Sequence, residues 1–112
     1  MHELSITCNI VELVAEAANG RNVRRVTLEI GKLSGVLPEA IAFCFPEVAR
    51  GTLAESAHLD IHEIEGRACC EVCGSEFSIA YLLAICACGS TRCRPIAGDD
   101  LNLKSIELEE AA

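Results

Sequence analysis

The sequence has no tryptophan and only four aromatic side chains, three Phe and one Tyr, among its 112 residues. Its hydrophobic core is therefore expected to be aliphatic, and a core this small is often supplemented by a bound metal or a cross-link. Basic residues are also scarce, because nine Lys and Arg stand against seventeen Asp and Glu and leave a net charge of −8. This balance argues against nucleic-acid binding, which requires a basic surface.

Long apolar runs are absent as well. No stretch approaches the roughly 18 apolar residues typical of a membrane-spanning helix, and the first residues lack the basic and apolar segments of an export signal. We therefore expect a cytoplasmic protein with no membrane association. Cysteine, by contrast, is abundant, with eight residues. Without export signals, cysteines indicate thiolate metal ligands or buried thiols rather than a disulfide framework.

The spacing of apolar residues predicts two helices. The first covers residues 3–19, where Cys8 and Val11 fall on the face that we expect to be buried, and Asn-Gly follows as a stop signal. The second begins at a proline, continues to about residue 50 and contains Pro46. Because proline lacks a backbone N–H, Pro46 is expected to kink or interrupt this helix.

Alternating apolar and polar residues predict strands over 23–30 and 58–62 and a closing strand over 101–109. The closing segment changes the parity of its apolar positions near Ser105, which predicts a β-bulge or a twist there. A cysteine-rich insertion separates the second and third strands. Since both ends of the insertion join strands, we expect those two strands to be neighbours in one sheet.

Two cysteine knuckles lie in the insertion. In CCEVCGSEF, the two-residue gap between Cys70 and Cys73 lets both sulfurs reach one ion. In ICACGSTRC, the gap between Cys86 and Cys88 is one residue shorter, and Cys93 is an alternative to Cys86. Four thiolates favour tetrahedral zinc, with an iron–sulfur cluster as the alternative. A closed set of four cysteines leaves no open coordination position, so the metal is expected to be structural.

These features predict an α+β fold with a small mixed three-stranded sheet, two helices and a zinc-ribbon-like insertion with four cysteine ligands. Residues 1–65 together with 99–112 are expected to form one domain, and residues 66–98 a zinc-binding domain.

The N-terminus carries a second set of metal donors. A free Met1 amine, the backbone nitrogen of His2 and its ring Nδ1 can close adjacent chelate rings on one cation, with the Glu3 carboxylate nearby. Such nitrogen-rich ligation favours Ni(II) or Cu(II) over zinc. The alternatives are a solvated His2 and a Glu3 that complements the helix dipole. On the second predicted strand, His58 and His62 are expected to face solvent, with a role in tuning metal affinity as the alternative.

Several stretches resemble the HypA/HybF family of hydrogenase nickel-incorporation proteins. They are MHEL, RVTLEIGKLSGV, AFCFPEVARGT, the two knuckles and IAGDDLNLKSIELE, and together they cover essentially the whole chain. The resemblance implies a nickel metallochaperone that binds Ni(II) weakly at its N-terminus and carries a structural zinc. It also implies two partners, the GTPase HypB and the hydrogenase large subunit.

The resemblance also assigns ligands. The chain departs from the family pattern in one knuckle, where Cys86-Ala87-Cys88 stands in place of the usual C-P-x-C. Carried over by position, the nickel ligands are the Met1 amine and His2, with Glu3 as a ligand or neighbour, and the zinc ligands are Cys70, Cys73, Cys86 and Cys88.

We therefore expect a nickel-delivery protein that is not an enzyme and is a monomer or weak homodimer. No Ser/His/Asp or paired-carboxylate constellation is apparent in the sequence. A non-catalytic zinc-ribbon module for protein interaction is the alternative.

Overall fold

The computed structural model describes residues 2–110. The chain folds into two helices and two separate three-stranded sheets, in a molecule that measures 59 × 26 × 17 Å. No helix within the described part is long and apolar enough to cross a bilayer. In chain order the elements are α1 (Glu3–Ala18), β1 (Val23–Gly31), α2 (Pro38–Ala49), β2 (His58–Ile64), β3 (Gly66–Cys70), β4 (Glu76–Ile79), β5 (Cys93–Ala97) and β6 (Leu101–Leu108).

Helix α1 ends one residue before the predicted end, and its buried face includes Val11 as expected but not Cys8. Its C-cap Asn19 adopts a left-handed conformation, as expected at a helix stop. The buried stripe includes Ile10, Val11 and Val14, whereas Cys8 is exposed. The prediction that Cys8 is a core residue was therefore wrong, because the β-branched stripe of Ile10 and Val14 packs into the core instead.

Helix α2 runs from Pro38 to Ala49 with Pro46 inside it, so the expected interruption does not occur. Proline at this position leaves the carbonyl of Ala42 without its helical donor. Both Ala42 and Pro46 lie on the exposed side of the helix, where water can bond to that carbonyl. The buried side of α2, which includes Ile41 and Phe45, continues without a break.

The first sheet has the order β2-β1-β6, with β1 parallel to β2 and antiparallel to β6. The two strands that flank the insertion therefore share one sheet but are not neighbours, because β1 lies between them. The register of β6 shifts where Thr27 pairs with Ser105 and Leu28 with Leu103. This shift leaves Lys104 as the extra residue and confirms the predicted bulge.

The core lies between this sheet and the helices. Val26, Leu28 and Ile30 alternate along β1 and are almost completely buried, as their spacing predicted. They pack in one cluster with the apolar faces of α1 and α2. The opposite face of β1 carries polar residues such as Arg25 and Glu29.

Residues 66–98, called the cysteine module below, form the second sheet in the order β4-β3-β5, with all pairs antiparallel. The module buries no side chain larger than cysteine; its buried residues are Gly66, Ala68, Cys70, Cys86 and Gly98. Its large apolar side chains Tyr81, Leu82, Leu83 and Ile85 are exposed, and Phe77 and Ile79 are only half-buried. The module therefore has almost no apolar core of its own.

The chain crosses between the two sheets through closely packed backbone. The N–H of Gly31 donates to Asp100, and the N–H of Leu33 donates to the carbonyl of Gly98, both at 2.8 Å. A Cβ on Gly31 would lie 2.1 Å from that Gly98 carbonyl oxygen, and one on Gly98 would lie 2.5 Å from the carbonyl of Glu65. Only residues without side chains fit at this crossing.

The substitution Gly31→Ala is expected to lower the free energy of unfolding by about 3 kcal/mol, near the upper end of typical overpacking costs. The reason is that the new methyl group would meet rigid backbone. Urea unfolding followed by circular dichroism measures the change. Gly35→Ala is the control: its Cβ would have no atom within 4 Å, although the φ of +78° adds a backbone cost of about 1–2 kcal/mol. A smaller loss in Gly31→Ala than in the control would contradict this packing.

Candidate metal centre

The four predicted zinc ligands meet at one end of the cysteine module. Cys70 is the last residue of β3, and Cys73 lies in the turn that leads toward β4. Cys86 and Cys88 lie in the loop that precedes β5. The antiparallel pairing of β3 with β5 brings the two knuckles together.

The four sulfur atoms all lie within 4.8 Å of one another. The Sγ atoms of Cys70 and Cys88 are 3.8 Å apart, and those of Cys73 and Cys86 are 3.5 Å apart. A tetrahedral zinc with Zn–S bonds of roughly 2.3 Å places its sulfurs about 3.8 Å from one another. The cluster therefore fits a structural zinc site.

Both knuckles are closed by a backbone hydrogen bond. The N–H of Gly74 donates to the carbonyl of Cys70 at 2.9 Å, and that of Gly89 donates to Cys86 at 2.8 Å. Each glycine has a positive φ, 79° and 92°, which permits these tight turns. Backbone N–H groups of Cys73 and Val72 then point at the Cys70 sulfur and lower its pKa to about 6. The thiolate form of Cys70 is thus favoured where a cation would sit.

The remaining thiols differ in their surroundings. A hydrogen bond with the Ser75 side chain lowers the pKa of Cys73. The Cys88 backbone also lowers the pKa of Cys86, but burial and the neighbouring thiols outweigh it and raise that pKa to about 12. Without a cation the buried Cys86 therefore stays protonated, and a metal must displace this proton on binding.

Two further cysteines border the cluster without joining it. Cys69 precedes Cys70 on β3, and its sulfur contacts the backbone carbonyls of Cys70 and Gly74. Cys93 begins β5 directly opposite Cys70 and is half-buried. Burial, and then the nearby Cys70 thiol, raise the pKa of Cys93.

The proposed nickel donors lie at the start of α1. Met1 lies outside the described residues. His2 is exposed and forms the N-cap, and its carbonyl accepts the first helical hydrogen bond from the N–H of Ile6 at 3.0 Å. The His2 ring makes no capping hydrogen bond. The Glu3 carboxylate accepts a long hydrogen bond of 3.4 Å from the N–H of Leu37, just before α2.

His58 and His62 lie on the exposed side of β2, as predicted. The His58 ring contacts Asp60 at 3.2 Å, and Arg25 binds the same carboxylate. The hydrogen bond from Arg25 holds the pKa of Asp60 below its usual value. Among residues 2–110, the four-cysteine cluster is the one group of three or more Cys, His, Asp or Glu donors close enough to share an ion. His58 and His62 are therefore not part of a preformed cluster of three or more donors within the described residues.

Known proteins resemble this chain along its whole length. A family model described as "Hydrogenase/urease nickel incorporation, metallochaperone, hypA" matches residues 1–108. A protein named "Hydrogenase maturation factor HypA" from Trichormus variabilis is 52% identical over 110 residues, which cover 98% of this chain and 97% of that protein. One of the same name from Geobacter metallireducens is 47% identical over 110 residues, which cover 97% of this chain and all of that protein.

Solved structures show the same fold. The solution structure of "the Ni metallochaperone HypA from Helicobacter pylori" superimposes with a TM-score of 0.71 at 25% identity, and the match covers 96% of this chain and 97% of that one. A second solution structure, of "HypA protein", gives a TM-score of 0.73 at 25% identity over 97% of each chain.

Proposed function

The chain belongs to the HypA family of hydrogenase/urease nickel-incorporation metallochaperones, and we propose that it holds Ni(II) at its N-terminus and delivers it to a hydrogenase. The Met1 amine, the His2 backbone nitrogen and the His2 ring are the proposed donors, with Glu3 as a ligand or neighbour. The observation that carries this proposal is the position of His2, which is exposed at the start of α1 and whose ring makes no capping hydrogen bond.

The geometry of a helix start supports this ligand set. The first backbone N–H groups of a helix have no partner within the helix, so the nitrogen of His2 can be given to a metal without breaking a helical hydrogen bond. The His2 carbonyl is already bonded to Ile6, which fixes the adjacent peptide plane. The Glu3 carboxylate accepts a long hydrogen bond from the N–H of Leu37, in the loop before α2.

Exposed ligation suits a carrier. A cargo site must release its ion, and at the protein surface the ligands of an acceptor can replace those of the carrier on the ion one by one. The cysteine cluster is suited to retaining its ion. Two of its four cysteines are buried, and all four sulfurs lie close enough together to bind one ion. We assign zinc to Cys70, Cys73, Cys86 and Cys88, where it would cross-link the module and supply no catalysis.

The proposal divides the chain into a nickel-binding domain, residues 1–65 with 99–112, and a zinc-binding domain, residues 66–98. The family role further supports HypB and the hydrogenase large subunit as partners in nickel transfer. Nickel titration of protein with a free N-terminus, with and without the His2→Ala substitution, tests the function, and the substitution is expected to abolish specific nickel binding.

Nickel affinity is expected to fall as the pH drops from about 8 to 6. Protons compete with the metal for an α-amine and an imidazole, which ordinarily titrate within this range. Both groups bind nickel only when deprotonated, so acidification favours release. Calorimetric titrations at several pH values measure the trend. An affinity that stays constant over this range would contradict ligation by these two groups.

A further inference from the structure

A fifth thiol lies beside the four-cysteine cluster and has no role in the proposed function. Cys93 is the direct antiparallel partner of Cys70 in the pairing of β3 with β5. Side chains of directly opposed residues project from the same face of a sheet, with Cβ atoms about 4.5–5.5 Å apart. The Cys93 side chain therefore lies next to a proposed zinc ligand.

A second contact connects Cys93 to the other knuckle. Its sulfur lies 3.8 Å from the carbonyl oxygen of Ser90, and the same oxygen accepts the backbone N–H of Cys86 at 2.9 Å. The thiol of Cys93 and the backbone of Cys86 thus meet at one atom. Cys93 therefore lies close to both knuckles, opposite Cys70 of the first and beside the backbone of Cys86 in the second.

We propose that Cys93 is a reserve zinc ligand that takes the place of Cys86 when the Cys86 thiolate is lost. This inference rests on the proposed zinc site. In the exchange the Cys86 thiolate would leave zinc and take up a proton, the Cys93 thiol would give its proton to water, and the Cys93 thiolate would bond to zinc. Zinc would have the same charge and four thiolates before and after the exchange, and no oxidant is needed.

The spacing of the second knuckle explains why Cys86 is the exchangeable ligand. Only one residue separates Cys86 from Cys88, whereas two residues separate Cys70 from Cys73. The shorter gap gives the chain less freedom to direct both sulfurs at one ion. Cys88, Cys70 and Cys73 then hold the ion while the fourth position is filled by either neighbour.

Cys69 provides a control because it is adjacent to Cys70 in sequence, but its side chain projects from the opposite face of β3. It pairs with Arg94 rather than with a ligand, and its sulfur contacts the carbonyls of Cys70 and Gly74. Since adjacent residues on a strand point to opposite faces, the Cys69 thiol faces away from the cluster. It should not be able to replace a ligand.

The test compares zinc content and Co(II) absorption in the full-length protein with Cys86→Ser, Cys93→Ser, both substitutions, and Cys86→Ser with Cys69→Ser. We expect each single variant to retain one zinc per chain and the thiolate-to-cobalt absorption of four sulfurs. The Cys86/Cys93 double variant should show three-sulfur absorption and lose zinc to a competing chelator at least about tenfold more readily than Cys86→Ser. The Cys69 combination should behave like Cys86→Ser.

Two results would overturn the proposal. In the first, Cys86→Ser alone shows three-sulfur absorption and loses zinc as readily as the Cys86/Cys93 double variant. In the second, the Cys86/Cys69 double variant loses zinc as readily as the Cys86/Cys93 double variant. Circular dichroism of the zinc-loaded variants separates ligand loss from global misfolding. A wild-type protein that binds no zinc would instead overturn the zinc site itself, and the reserve ligand with it.

Discussion

Placing extra residues before Met1 is expected to abolish specific nickel binding while zinc content and fold stay intact. Extension converts the terminal amine into an amide, which removes the most basic donor of the proposed chelate. Loss of a residue that merely supports a ligand typically costs about 10–100-fold in metal affinity. Loss of the donor itself is therefore expected to cost at least about a hundredfold. Isothermal titration with Ni(II) measures the difference.

The chain offers good controls for this result. The same residues added at the C-terminus should leave nickel binding unchanged. His2→Ala should reproduce the loss of nickel binding. His62→Ala should not, because His62 lies on β2 and not at the start of α1. If the N-terminally extended protein binds one nickel as tightly as the protein with a free terminus, the site lies elsewhere, and His58 and His62 become the next candidates.

Removal of zinc is expected to unfold the cysteine module and leave most of the remaining chain folded. The module buries no side chain larger than cysteine, and most of its large apolar residues are exposed. Its folding must therefore depend on the metal, and structural zinc contributes on the order of 10 kcal/mol in small zinc modules. The aliphatic core of the first sheet and the helices needs no such support.

Amide hydrogen exchange before and after chelation separates these regions. Strands β3 and β5 should lose protection, while β1 and α1, which bury Leu28 and Val14 completely, should keep it. Zinc added back should restore the original pattern. Unchanged protection in residues 66–98 after zinc removal would contradict metal-dependent folding, and loss across the whole chain would contradict the division into two domains.

The alternative function is a zinc-ribbon module whose N-terminus has no role. It also predicts unfolding of the cysteine module on zinc removal, but it does not predict that N-terminal extension abolishes nickel binding. It requires zinc for folding and gives no reason for nickel affinity to depend on the amine of residue 1. The pair of experiments therefore distinguishes the two functions even though both proteins would carry the same zinc.

The helices and strands could be predicted from local sequence patterns, but the elements against which each one packs or pairs could not. The alternation of Val26, Leu28 and Ile30 determines one buried face, and the structure has it. For α1, two stripes satisfy helical spacing, one through Cys8 and one through Val14. Which stripe meets the sheet depends on tertiary packing. The position of β1 between β2 and β6 likewise depends on hydrogen bonds between segments far apart in sequence.

The same distinction between local and long-range features applies to the metal sites. The four-cysteine set could be predicted because each knuckle is a local turn whose ligands are two or three residues apart. The sequence also offers Cys93 as an alternative to Cys86, but the position of Cys93 opposite Cys70 could not be predicted, since it follows from pairing across two strands. The contact of Glu3 with the start of α2 is also a tertiary feature. Long-range pairing is the part that spacing does not encode.

Nickel X-ray absorption spectroscopy of the zinc-loaded protein with a free N-terminus and one equivalent of Ni(II) tests the central claim most directly. The proposed site predicts nitrogen and oxygen ligands only, with the outer-shell scattering of an imidazole that disappears in His2→Ala. Sulfur in the coordination sphere of nickel would place the ion among the cysteines, and an imidazole signal that survives His2→Ala would place it at another histidine. Either result would contradict an N-terminal nickel site.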